Sequence, residues 1–372
     1  MLPTAVRPRA RRFPEASPVR LALLALSLAA LPATTTAVLA PPASAAPAPR
    51  VLARTAVLVD GASGAVVWQR GAHRPELVAS TTKILTALVA MDAYAGNRVF
   101  TVTRAAEEVD GTRFGYQVGM RVRRHELLTT LLLVSANDAA ETLAGDYPQG
   151  GRAGFLAAMQ RKAGDLGCTD STWRDPSGLD APGHRASAAD LAILGRALLA
   201  QPELAKIVAT PWTRYRWPDG RLQVITNHNH LVSKGGDPGA IGIKTGYTVN
   251  AHSTIVAAER RGGRTLIAVA LGTDAMYEDV RSMFTYGFAT RVPAGAEILG
   301  GSPEERSSSR GPTRLESESA PGGTAGGSLP PTTNPLLSRL LPAPLPVLAT
   351  AAIALLVLGM VVTALSRSSR RG

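Results

Sequence analysis

Two long apolar runs, one near each end, confine whatever can fold on its own to the residues between them. Residues 21–40 are apolar or small and follow a stretch carrying Arg7, Arg9, Arg11, Arg12 and Arg20. Ala43-Ser44-Ala45 completes a basic, apolar, small-residue pattern, which predicts a secretory signal peptide over residues 1–45 rather than part of a fold. No cysteine lies near that stretch, which argues against a lipid-modified N-terminus. At the other end, residues 345–365 hold no charge and are followed by Arg367, Arg370 and Arg371. Twenty-one residues at ~1.5 Å each cross a hydrocarbon core of ~30 Å, so this run is expected to be a transmembrane helix. Ala, Leu and Val run around its whole circumference, unlike the amphipathic stripe of a core helix. Basic residues remain inside, so residues 366–372 form a cytoplasmic tail and the folded part is extracytoplasmic on a single-pass protein of the cell membrane.

Between fold and anchor, residues 296–344 are rich in Ser, Gly, Pro and Thr, too polar to bury a core and expected to be a disordered linker. As a flexible coil, the stretch 301–344 would span roughly 35–40 Å on average, a reach suited to a polymer just above the membrane. The net charge of +12 sits mostly in the tails: residues 1–50 contribute +5, residues 301–372 another +3, and the middle +4. Nothing there calls for a nucleic-acid partner. Cys168 is the single cysteine, so no intramolecular disulfide forms; a small buried apolar residue is expected there.

The folded part is expected over residues 50–295. Residues 56–60 and 66–68 flank Gly61-Ala62-Ser63-Gly64 as a β-hairpin. Residues 84–91 read as a helix with Ser80 and Thr81 at its N-terminal end, and residues 99–103 as a short strand. From 125 to 145 the pattern is helical but interrupted around Ser135-Ala136-Asn137, and helices follow at 154–166 and 188–200. Asp175-Pro176-Ser177-Gly178 is a turn signal. Five strand-like stretches come next, at 214–217, 222–225, 240–244, 253–259 and 265–271, and a helix at 283–289 closes the chain. This order predicts one α/β domain whose antiparallel sheet gathers both ends of the segment, flanked by helices, with an all-helical lobe inserted between.

Of 40 basic residues only five are lysines, and two of these sit in short motifs. Ser80-Thr81-Thr82-Lys83 is S-x-x-K, and Lys244-Thr245-Gly246 is K-T-G; Ser135-Ala136-Asn137, an S-x-N, lies between them. A chain that writes Arg for surface charge has another reason to keep Lys: an amine can lose its proton and act as a base, a guanidinium cannot. On a helix, i and i+3 share a face, so Lys83 approaches Ser80 and could take the proton of its hydroxyl if burial and a second cation such as Lys244 keep the amine neutral. Each motif alone is weak: an N-capping serine with a solvated lysine, a helix break, a surface turn. The three in this order are far more specific and point to acyl transfer.

The order S-x-x-K, S-x-N, K-T-G resembles that of penicillin-binding proteins and class A β-lactamases, with Ala136 replacing the usual Asp of the middle motif. Surrounding phrases sharpen the resemblance. Residues 77–87, Leu58-Val59-Asp60 with Gly64, residues 135–140, residues 175–179, Asn227-His228-Asn229-His230-Leu231, residues 242–246 and Tyr286-Gly287-Phe288 are similar to those of D-alanyl-D-alanine carboxypeptidases of the low-molecular-mass penicillin-binding type, over roughly residues 52–290. The resemblance implies a β-lactamase/transpeptidase-like fold and removal of the terminal D-Ala from peptidoglycan stem peptides. β-Lactam antibiotics would act as covalent inhibitors, and no cofactor or metal would be needed. It implies Ser80 as nucleophile, Lys83 as its base and Ser135 as a proton relay. Asn137 would bind the acyl-side amide, Lys244 would stabilise charge around Ser135 and Lys83, Thr245 would bind the substrate's terminal carboxylate, and Gly246 and Tyr247 would belong to the same substrate-binding set. The backbone N–H groups of Ser80 and Tyr247 would form the oxyanion hole. The chain departs from some members in having a linker where a further β-rich domain would follow, and a spanning run where many carry an amphipathic helix.

Other functions fit less well. A class A β-lactamase needs a deacylating Glu some thirty residues after the middle motif, and residues 160–180 contain none. A zinc site on His228 and His230 would lack third and fourth ligands. A D,D-endopeptidase of cross-links, or a wall-binding or β-lactam-sensing module that does not turn over, remains open on the same fold.

Overall fold

Residues 56–59 and 266–271 are apolar at every position rather than at alternate ones, the pattern of strands covered on both faces. The computed structural model, which describes residues 47–300 apart from Pro218 and Lys234, places them at the centre of the molecule's main sheet. β1 (Thr55–Asp60) and β2 (Val66–Arg70) form the first hairpin. β7 (Ala240–Thr248), β8 (His252–Arg261) and β9 (Arg264–Thr273) form the last antiparallel run. The sheet order is β2-β1-β9-β8-β7, with β1 pairing antiparallel to β9. The sheet thus joins the two ends of the segment, as the strand–helix–strand order predicts.

Alternation then sorts each strand between two cores. Val57, Val59, Val256, Ile267 and Val269 face a large cluster that includes most of the helices. Ala56, Leu58, Ile255, Leu266 and Ala268 face the opposite way, under α8 (Met276–Ala289), whose Val280, Met283 and Phe284 are fully or almost fully enclosed. Gly287 belongs to this contact, because a Cβ there would sit 2.6 Å from Leu58 Cδ2. Asp279 anchors the segment before β1 to the same helix by accepting from the Leu52 and Ala53 N–H groups.

The inserted part begins with a 3₁₀ turn (Ala79–Thr82) running into α1 (Lys83–Ala93). It continues through α2 (Arg104–Glu107), α3 (Arg124–Leu133), α4 (Asn137–Gly145), α5 (Gly151–Asp165), α6 (Ala188–Leu199) and α7 (Pro202–Val208). The lobe is mostly helical, though β3 (Val99–Thr101) and β4 (Arg121–Arg123) form a small two-stranded sheet within it. A further hairpin of β5 (Trp212–Arg216) and β6 (Leu222–Thr226) stands apart from the main sheet. Two expectations shift. β7 runs through Lys244-Thr245-Gly246 to Thr248, so K-T-G lies inside a strand rather than at the end of one. Residues 296–300, placed in the linker by composition, pack on the first hairpin, with Leu299 buried and its N–H donating to Gly64 O. Among the described residues no helix is long and apolar enough to cross a membrane; the predicted signal (1–45), the remaining linker, the span (345–365) and the basic tail lie outside those residues.

Candidate active site

The break between α3 and α4 positions the middle motif. Ser135 adopts the left-handed conformation with φ 63°, uncommon for a non-glycine residue and a mark of local constraint. The next helix then starts at Asn137, whose side chain points into the interior, 4 % exposed. Asn137 Nδ2 donates to Asp110 O (2.7 Å), and its N–H donates to Thr112 O (2.7 Å). That choice of amide orientation leaves Oδ1 toward Lys83 Nζ, at 2.7 Å. Asp138 is fully buried and accepts from the N–H groups of Phe114, Gly115 and Tyr116, fastening the 110–116 loop over α4.

Lys83 is the centre of the site. It is fully buried, one helical turn from Ser80, with Nζ 2.9 Å from Ser80 Oγ. Its other two neighbours are Asn137 Oδ1 and Ser177 O, the latter at 2.5 Å. Both are carbonyl oxygens and can only accept, so they take two amine hydrogens. The third direction faces the Ser80 hydroxyl, which can donate. In the neutral amine that direction is the lone pair, the arrangement a base needs. Burial, followed by the charge of Lys244, holds the Lys83 pKa well below the usual lysine value. Lys244 is itself buried, and burial brings its pKa down to about 7; its Nζ donates to Thr245 O at 2.7 Å.

Ser177 O is aimed by a tight turn. Asp175 Oδ1 accepts from Ser177 N, Ser177 Oγ, Gly178 N and Leu179 N, an Asx-type arrangement. Its other oxygen takes Arg152, which also makes a two-pronged pair with Glu141. The hydrogen bonds received by Asp175 and the nearby Arg152 outweigh burial and lower its pKa. Gly178, at φ 89°, allows this turn to lie against the nucleophile: a Cβ there would sit 1.9 Å from Ala79 O.

β7, the last strand of the sheet, forms the opposite wall. Gly246 brings it to the serine, since a Cβ would lie 2.7 Å from Ser80 N and 2.6 Å from Thr254 Oγ1. Thr245 is half-buried, and Tyr247 is 66 % exposed beside it. Ser80, Lys83 and Asn137 are therefore joined by direct contacts, Lys244 acts on Lys83 through its charge, and Gly246 touches the serine's backbone. Ser135 Oγ makes no hydrogen bond within the described residues, although the residue borders Asn137. His228 and His230 lie exposed between β6 and β7, with His230 stacked on Tyr277. Cys168 is buried, as expected. Motif reading gave no role to Asp138, Asp175, the Ser177 carbonyl or His184; the Asp-Pro-Ser-Gly turn was the one visible signal among them.

A buried amine facing a serine hydroxyl, between a helical lobe and the edge of an antiparallel sheet, defines a serine acyl-enzyme hydrolase of the penicillin-interacting type. The comparisons agree. A family profile described as D-alanyl-D-alanine carboxypeptidase matches residues 42–275. D-alanyl-D-alanine carboxypeptidase DacB2 of Mycobacterium tuberculosis is 36 % identical over 266 residues, covering 69 % of this chain and 90 % of that one. A D-alanyl-D-alanine endopeptidase of Pseudomonas aeruginosa is 30 % identical over 290 residues, 74 % of this chain and 92 % of that one. Among solved structures, a penicillin-binding protein homolog from Mycobacterium tuberculosis superposes with a TM-score of 0.64 at 36 % identity, over 70 % of this chain and all of that one. The chain belongs to the D-alanyl-D-alanine carboxypeptidase family.

Proposed function

We propose that this chain is a serine-type D-alanyl-D-alanine carboxypeptidase that removes the terminal D-Ala from peptidoglycan stem peptides. One observation carries the reading: two acceptor-only oxygens claim two directions of Lys83 Nζ and leave the third for Ser80 Oγ. An extended peptide lying along β7 gains main-chain hydrogen bonds by strand addition and presents its last amide to the serine. Ser80 Oγ attacks that carbonyl while its proton passes to Lys83, and the oxyanion sits at the N–H groups of Ser80 and Tyr247. Collapse of the tetrahedral adduct expels D-Ala, whose nitrogen takes, by way of Ser135, the proton that Lys83 had received. Water then attacks the ester as neutral Lys83 accepts its proton, and that proton returns to Ser80 Oγ as the ester C–O bond breaks and the shortened peptide leaves. Thr245 receives the terminal carboxylate, and Lys244 stabilises the charge that develops around Ser135 and Lys83. Asn137 has its carbonyl on Lys83 and one amide hydrogen on Asp110 O, so holding the base is its first task, and its remaining hydrogen serves the acyl-side amide. A lactam carbonyl in the same place would acylate Ser80 and stay.

The sequence reading of a signal and a span supports a domain that works outside the cell membrane, with the C-terminal run as its tether. The chain from residue 47 to 300 incubated with a peptide ending in D-Ala-D-Ala should release D-Ala repeatedly, with none from Ser80→Ala. Acylation without turnover would favour a sensor. Faster cleavage of a cross-linked dimer than of the linear peptide would favour the endopeptidase reading, which the Pseudomonas aeruginosa relative's name suggests.

A further inference from the structure

The turn that presents Ser80 contains a second non-glycine residue in the left-handed region, Ala79 at φ 47°. For an alanine this conformation costs roughly 1–2 kcal/mol, so it persists only where neighbours hold it. Two carbonyls of the turn are gripped. Val78 O accepts from Thr81 Oγ1 (2.6 Å) and, across from the sheet, from Thr254 Oγ1 (2.9 Å). Ala79 O accepts from Thr82 Oγ1 at 2.8 Å.

Thr82 is fully buried, and its hydroxyl has one hydrogen. Ala79 O can only accept, so that hydrogen is committed, and the contact of Thr82 Oγ1 with His184 Nε2 (2.9 Å) must be a bond donated by the imidazole. On the other side of the ring, His184 Nδ1 receives the Arg174 N–H at 2.9 Å. Every partner is satisfied by one tautomer, with the proton on Nε2. His184 is 1 % exposed and edge-on to Trp173, which is also buried. Burial keeps the imidazole neutral, with its pKa down at about 4. Neither His184 nor Thr82 touches Ser80 Oγ or Lys83 Nζ in the contacts described above.

We propose that His184 is a positioning residue for acylation: its Nε2–H, acting through Thr82 Oγ1, fixes the Ala79 carbonyl and with it the left-handed turn that aims Ser80. This gives the second Thr of Ser80-Thr81-Thr82-Lys83 a task that the S-x-x-K spacing leaves blank. It also ties α6's approach, where His184 lies four residues before Ala188, to the nucleophile on the far side of the Asp175 turn.

The inference rests on Ser80 being the acylated residue, and the test separates the two. Acylation by a chromogenic β-lactam is followed in rapid-mixing experiments over a range of lactam concentrations, in the wild type, Thr82→Val, Thr82→Ser, His184→Leu, His184→Gln and the Thr82→Val/His184→Leu double variant. The limiting acylation rate should fall on the order of 10- to 100-fold in Thr82→Val and in His184→Leu, as expected for misplacement of an attacking atom by a fraction of an ångström. The concentration giving half the limiting rate should stay within about twofold, because the binding cleft is untouched. Thr82→Ser and His184→Gln, which keep the hydroxyl and an N–H donor, should recover most of the rate. The double variant should be no slower than the slower single one, since both cut a single chain of bonds. Losses that multiply in the double variant overturn the proposal, as does a wild-type limiting rate in folded Thr82→Val. Should Thr82→Val not fold, His184→Gln against His184→Leu decides: equal rates refute it. A wild type that does not acylate refutes the assignment of Ser80 instead.

Discussion

Replacing Gly246 by Ala tests how β7 meets the nucleophile, and its size can be worked from distances. The added methyl would lie 2.7 Å from Ser80 N, where ordinary van der Waals contact begins at 3.4 Å, so about 0.7 Å of retreat is needed between strand and turn. On the other side it would lie 2.6 Å from Thr254 Oγ1 and, toward the turn, 3.1 Å from Ala79 Cβ, so the strand cannot simply tilt away. A misplacement of about 1 Å at a reacting centre costs on the order of 10²-fold; acylation by a labelled penicillin should therefore slow by roughly 10- to 100-fold. Overpacking a tight site costs about 1–3 kcal/mol, or several degrees of melting temperature in a domain of this size at ~2–4 °C per kcal/mol. Gly164, within α5 and with no heavy atom in reach of an added Cβ, is the control. Gly164→Ala should leave acylation alone and raise stability by about 0.5–1 kcal/mol. Gly246→Ala acylating at the wild-type rate would show that this strand does not bear on Ser80.

Lys83→Arg replaces an amine that can be neutral by a fixed cation and so removes the base, and penicillin acylation should drop by about 10²–10⁴-fold, while Lys162→Arg, which can keep its pair with Asp92, changes little; near-normal acylation in Lys83→Arg would mean another group activates Ser80. Both buried lysines hold a proton less tightly folded than unfolded, so their burial costs stability in full below the folded pKa, and the cost is relieved as pH rises from about 7 for Lys244 toward 10.5. Melting temperature should therefore climb from neutral pH to about pH 9.5, with a flatter rise in Lys244→Met, before the buried tyrosines Tyr94, Tyr116 and Tyr215, held protonated by burial, reverse it; a melting temperature that falls across that range contradicts the buried, low-pKa amines. Protease added to cells stripped of wall should cut within residues 301–344 and release a penicillin-binding fragment, with a C-terminal tag protected; digestion of the tag alone would reverse the predicted topology.

Sequence and structure agree most closely where chemistry restricts residue choice. Lysines were legible at positions 83 and 244 because the chain otherwise uses Arg, and the break at 134–136 because small and polar residues interrupt a Leu run. The sheet's closure of β1 on β9 was legible from the order of periodicities. The short helix α7 and β3's partner β4 were not, since seven and three residues carry too little period to stand out, and tertiary packing fixes them. The predicted strand stopped at Lys244 because polar Thr245 and then Gly246 follow the apolar residues; the strand continues because Gly246 serves a close approach rather than a bend. The roles of Asp138 and Asp175 were not legible for a different reason. Each acts on backbone N–H groups of a distant or folded-back loop, a pairing with no residue-type signature on the other side. His184 is in the same position: its partners are a threonine hydroxyl 102 residues away and a main-chain N–H.

The central claim is that Ser80, activated by Lys83, forms the acyl-enzyme. The most direct measurement is mass spectrometry of the chain after brief exposure to a penicillin, intact and after digestion. One adduct per chain, located on the peptide carrying Ser80 and absent from Ser80→Ala, is the predicted result. An adduct on any other residue, or one that survives in Ser80→Ala, would contradict the account.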